Sequence, residues 1–314
     1  METLPTPMTS TNATTTHSYL GYMTWLNLGC NIGIVLCHAI VIAFTSYLMY
    51  CSIFDRKSLR CKQLSWSLRT FLTTHIVGSL IAIPYQVYLT AKWSKDATDT
   101  YDPYTLLLLG IGFLVDIQLV SVSAFWLTIE RCLVLTLPLS FRLHIEKWIQ
   151  LMTVSCLSIW TAITAAFVLI EIPLNVDKMR HCQSVGCVLP KYGFVVPFYM
   201  KIGISFLNLF ASCFLLMSMK SENPLKAKNR VIKVTIMMEV ILDVLPTLIN
   251  QFILVTTKIP TGFYIGQLGS FTIVLNVAIC SIYYTVILID RSKSLRIGPM
   301  QSRMATLNSS RFNE

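Results

Sequence analysis

The groups able to do chemistry in this 314-residue chain sit within long apolar runs. Glu130 and Arg131 are adjacent at the end of one such run, and Pro138 follows the arginine by seven residues. A charge at the edge of a low-dielectric region is costly unless paired. An arginine beside an acid and other polar groups can therefore serve as a two-state element that exchanges partners. The same residue also reads as an interface arginine that snorkels to water. Asp116 lies 15 residues before Arg131, about 22 Å along a helix. An acid at that depth should face a bundle interior. It reads as a ligand or ion contact, or as a protonated, hydrogen-bonded acid that helps helices pack. Glu239 and Asp243 are four residues apart and share one helical face. Asp243 precedes Pro246 by three, and the proline frees a backbone carbonyl and permits a kink. The five histidines are scattered, with no metal-ligand spacing, so neither a cofactor nor a metal is expected and no enzyme signature is found.

These residues need elements to position them. The chain is 54% hydrophobic and only 13% charged, with a mean hydropathy of +0.63. Soluble domains carry about 25% charged residues, so an ordinary soluble enzyme is excluded. Ten cysteines are too sparse for a disulfide scaffold. A spanning helix needs about 20 mostly apolar residues. Uncharged or nearly uncharged runs predict an all-α fold of seven transmembrane helices, at about 26–50, 67–91, 104–130, 148–170, 194–219, 231–257 and 263–289. Residues 1–24 form an N-terminal segment, 25–290 the helical domain and 291–314 a tail. Of 25 Lys and Arg, 18 fall in the loops after spans one, three and five and in the tail. That bias places the N-terminus outside and the tail in the cytosol, and it gives the net charge of +10 a topological meaning rather than a nucleic-acid one. Asn12 heads a glycosylation sequon in the outer segment. No cationic region precedes span one, so no cleavable leader is expected.

Seven spans with an outer N-terminus suit a receptor, a transporter or channel, or a retinal-type photoprotein. The last needs a Schiff-base lysine in the final helix, and residues 263–289 hold none. Glu130-Arg131 with Pro138 and then Arg142 resembles the cytosolic end of helix three in rhodopsin-like G-protein-coupled receptors. Trp160 in span four, Pro197 in span five, Pro246 in span six and the Asn276-to-Tyr284 segment of span seven extend that resemblance across about residues 25–290. The chain departs from the family's pattern at Cys132, in the absence of an acid in span two, in the lack of a proline in span seven, and in the lack of a cysteine at the outer end of span three. Cys182 and Cys187 with the residues between them, Asn229-Arg230, and Leu242-Asp243-Val244-Leu245-Pro246 resemble the BC class of nematode serpentine chemoreceptors.

The resemblance implies a plasma-membrane chemosensory receptor, in a ciliated sensory neuron by family likeness. Its partners would be a small-molecule ligand, a heterotrimeric G protein and the lipid bilayer, without nucleic acid. Glu130, Arg131 and Pro138 would form the coupling switch, and Asp243 with Pro246 the hinge. Phe113 and Asp116 would border the ligand pocket. Phe113, rather than Asp116, lies near the place where amine receptors hold their ligand acid, so an amine is not implied. Cys182 and Cys187 enclose four residues on the oxidising side, where a disulfide is reasonable; two free thiols are the alternative. The rival function is a small-solute or ion transporter using Asp116, Glu239 and Asp243.

Overall fold

The computed structural model describes residues 13–53, 65–93, 101–137, 139–174, 184–189, 192–193, 195–221, 234, 237–238, 240–257 and 267–287. Among them the fold is all-helical, without a strand. The helices are α1 (Ala13–Ile53), α2 (Trp66–Ala91), α3 (Pro103–Thr136), α4 (Leu139–Ile170), α5 (Val195–Ser221), α6 (Leu245–Thr257) and α7 (Leu268–Ile287). A single helical turn, Val185–Val188, lies between α4 and α5, and a π turn, Val240–Val244, runs directly into α6.

Six of these helices are long and apolar enough to cross a membrane: α1 from Trp25, α2, α3, α4, α5 and α7. Expected span six (231–257) is described as a helix only from Val240 onward, apart from helical Val234, Met237 and Met238. Three helices run past the expected bounds. Helix α1 begins at Ala13 rather than near Leu26, α3 continues to Thr136 and α4 starts at Leu139. The cause is common to all three: a helix ends where its backbone loses partners, not where its apolar run ends. Residues flanking the apolar stretch keep their i→i−4 bonds beyond it.

Local sequence sets two helix starts. Ser65 caps α2, its hydroxyl accepting from the Leu68 N–H at 3.3 Å. Asp102 caps α3 with Pro103 as the first helical residue, where a missing N–H costs nothing. The Asp102 carboxylate accepts from the Thr105 N–H at 2.8 Å and the Thr105 hydroxyl at 2.6 Å. Those two bonds hold its carboxyl below the usual carboxylate range. The cap is therefore charged at neutral pH, and it weakens only as pH falls through that lowered value.

Helix α3 is the centre of the bundle. Its apolar window is 61% buried, against 17% for α4 at the periphery. It packs on α2, α4, α5 and the Val185–Val188 turn. Apolar burial alone does not hold helices together in lipid, so close approach between small residues matters. Gly112 of α3 is such a place. A β-carbon there would lie 2.5 Å from the Ile81 carbonyl oxygen of α2. Backbone cannot swing aside as a side chain does. Gly112→Ala should therefore force α2 and α3 apart and cost about 1–3 kcal/mol, read as a lowered thermal midpoint in detergent. Gly203→Ala faces open space and should leave the midpoint unchanged. Equal midpoints for the two variants would refute the close-approach account.

Candidate functional site

The candidate residues fall at three levels along α3. At the end that carries Glu130, the adjacent acid and arginine point to different neighbours. Successive helical residues do not face each other, so Glu130 and Arg131 diverge around the axis. Glu130 is buried and its Oε2 accepts from the Ser65 hydroxyl at 2.9 Å. Ser65 thus caps α2 and ties its start to α3 with one side chain. Arg131 Nη2 donates to the Tyr284 hydroxyl of α7 at 3.2 Å, and its guanidinium carbon stands 5.7 Å from that ring's centre. Arg131 thus hydrogen-bonds a polar group of α7, while Glu130 is held by Ser65. Tyr284 is buried and packs edge-on to Phe71 of α2, with ring centres 6.4 Å apart. Cys132 lies against α5, its thiol 3.6 Å from the Ala211 carbonyl oxygen. Three consecutive residues of α3 therefore reach α2, α7 and α5. Pro138 lies outside the described residues.

The middle level holds a buried ion pair that the sequence reading missed. Lys201 of α5 and Asp243 of the π turn meet at 3.0 Å, Nζ to Oδ1, each side chain about 5% exposed. Lys201 counts among the outer-side basic residues when only charge bias is read. Its position inside α5, four residues after Pro197, is the signal that places it in the bundle. The π turn has a local cause. Pro246 has no N–H to offer the Leu242 carbonyl, so the hydrogen-bond ladder loosens just before it. The wider turn carries Asp243 onto α5.

Asp116, one further acid, is buried at 3% exposure and lies within electrostatic reach of Lys201. Its carboxylate fills the space left by Gly78 of α2, where any β-carbon would collide with it. Nearby, the Gln118 amide donates to the Pro197 carbonyl at 2.6 Å, and the Trp160 indole N–H donates to the Gln118 carbonyl at 3.1 Å. Gln118 thereby links α3 to both α4 and α5. Glu239, expected on the same face as Asp243, lies outside the described residues.

The level at the other end of α3 is aromatic. Phe113 is buried and stacks on Tyr85 of α2, with ring centres 5.1 Å apart. The Tyr85 hydroxyl accepts from the Val185 N–H at 3.0 Å and so holds the single turn down over the bundle. Val185 is itself packed on Gly110 of α3. Glu171 fixes the approach to α5, accepting from the Tyr192 and Gly193 N–H groups at 2.5 and 2.6 Å. Phe113 and Asp116 thus share α3 but meet different neighbours, Tyr85 for one and Gly78 for the other. Cys182, the Cys187 side chain and Asn12 lie outside the described residues. No group of three or more metal-ligating side chains gathers among the described residues. No protein-family model matches the chain, and no curated protein matches it.

Proposed function

We propose that this chain is a seven-helix receptor, chemosensory in kind and seated in the plasma membrane, that binds a small molecule and activates a heterotrimeric G protein. The carrying observation is the bond from Arg131 of α3 to Tyr284 of α7. It is a charged group held by a neutral partner across two helices, close to the protein's edge. Such a contact is strong enough to define a resting state and weak enough to exchange. The Lys201–Asp243 pair supports the same reading from the middle of the bundle. It ties α5 to the segment just before Pro246, where a pivot would act. In this mechanism the ligand binds near Phe113 and Asp116 and shifts the population toward a state in which the pair opens. The segment at Pro246 then turns, Arg131 leaves Tyr284, and a cleft forms for the G protein.

The test needs no ligand. The full chain is co-expressed with a panel of tagged Gα subunits, and proximity is read by energy transfer after surface expression is checked. Proximity to one Gα class that guanine nucleotide disperses is the expected result. No proximity to any subunit in well-expressed protein would overturn the proposal. A second reading, small-solute transport, has one observation in its favour: Asp116, Lys201 and Asp243 are ionisable groups buried within the bundle. Ion-dependent flux in proteoliposomes, without nucleotide exchange on a G protein, would select it.

A further inference from the structure

A groove of about 710 Å³ lies on the side of the bundle, away from the residues described above. Helices α2 and α4 and the end of α1 (Met49, Ser52 and Ile53) form its walls, and Leu119 of α3 its floor. Ligand pockets span about 300–1,000 Å³, so the space is ample for part of a large molecule. Its walls carry Trp66 and Val77 of α2 and Ser158 and Ala162 of α4, and all four are exposed at the bundle's outer face. The 11 steps from Trp66 to Val77 rise about 16 Å, close to one leaflet of a hydrocarbon core about 30 Å thick. The groove therefore runs the depth of a single leaflet.

Its composition is graded along that length. At one end stands Arg69, whose guanidinium carbon lies 5.8 Å from the centre of the Trp66 ring. Arg69 Nε is buried and has no hydrogen-bond partner among the described residues. Beyond Arg69 the lining is largely aliphatic, interrupted by the hydroxyls of Thr70, Thr73, Thr74 and Thr161. The order along α2 is an interfacial aromatic at Trp66, a cation about one turn further in at Arg69, then a largely apolar trough that ends at Val77. An acidic phospholipid entered from the side fits that arrangement, with its phosphate and glycerol ester at the Trp66–Arg69 end and an acyl chain along the trough. Arginine and tryptophan at a membrane interface commonly face that chemistry. The occupant's charge follows from Arg69, since an unpaired guanidinium donor favours an anionic headgroup over a zwitterionic one.

We infer that this groove is a specific site for one acidic phospholipid, with its phosphate on Arg69 and an acyl chain along α2 and α4. Occupancy would brace α2 against α4 across α3, the helix on which all three levels of the candidate site are built.

The test is native mass spectrometry of the purified full chain, titrated with phosphatidylserine or with phosphatidylcholine of the same acyl chains. The wild type should retain the first phosphatidylserine in preference to phosphatidylcholine by about fivefold to tenfold. Arg69→Gln should abolish the preference, and Arg69→Lys should keep most of it. Ala162→Trp should fill the trough and reduce retention of both lipids. Lys147→Gln, an exposed cation outside the groove, should change nothing. Thermal midpoints show which variants are folded, and Arg69→Lys against Arg69→Gln keeps the comparison valid if Ala162→Trp is not. An undiminished preference in Arg69→Gln would overturn the headgroup assignment. Undiminished retention in folded Ala162→Trp would overturn the trough.

Discussion

Asp243→Ala should cost about 3–5 kcal/mol, because it strands the Lys201 ammonium inside the bundle with its partner gone. Both side chains are about 5% exposed, so water cannot take the partner's place. The loss should appear as a thermal midpoint lowered on the order of 10 °C in detergent. Lys201→Met alone should cost a similar amount, since it strands the carboxylate. The double variant Lys201→Met, Asp243→Leu removes both charges and should recover most of the loss. Recovery distinguishes a paired charge from a residue that matters only for its shape. If the double variant is as unstable as the two singles summed, the pair contributes no coupling, and the clasp between α5 and the π turn has to be abandoned. Should the clasp also hold the resting state, the double variant will couple to Gα without ligand more than the wild type does.

Substitutions at the two ends of the Arg131–Tyr284 bond should move coupling in opposite directions. Arg131→Ala removes the group that would extend toward the G protein, and nucleotide-sensitive Gα proximity should fall at least about tenfold. A hydrogen bond to a charged group contributes about 1.5–3 kcal/mol, and each 1.4 kcal/mol is tenfold. Tyr284→Phe keeps the ring beneath the guanidinium but deletes the hydroxyl that accepts from it. Arg131 is then held less firmly, and ligand-independent coupling should rise by up to about tenfold. Surface expression is matched between variants before comparison. A fall in both would mean that Tyr284 supports the fold and does not restrain Arg131.

Six spanning helices were legible because lipid imposes a length and forbids unpaired backbone. The expected span at 67–91 and helix α2 at Trp66–Ala91 differ by one residue at the start. Burial of Asp116 was legible for the same reason, since an ionisable group at that depth has only the interior to face. The partners were not. Nothing local joins Arg131 to Tyr284, 153 residues away, or Ser65 to Glu130, 65 residues away. Those meetings depend on how the helices are rotated and placed, which hydropathy does not encode. Lys201 was misplaced for a different reason. A charge count treats each lysine as a marker of the water side, and it fails for a lysine such as Lys201 that an acid draws inward. Gly78 gave no signal at all, because a missing side chain has meaning only once Asp116 occupies its place.

The π turn before α6 has a further consequence, in the phase of that helix. A π turn holds one residue more than the α-helical ladder needs, so a face counted through Val240–Val244 at 3.6 residues per turn slips by one residue, about 100°. The residues before the turn and those after it are therefore set at an angle that no straight helix of this sequence would give. Tightening the turn to ordinary α geometry would erase that angle while changing the helix length by only about 1.5 Å. A segment built in this way can rotate one end against the other with little change in its length.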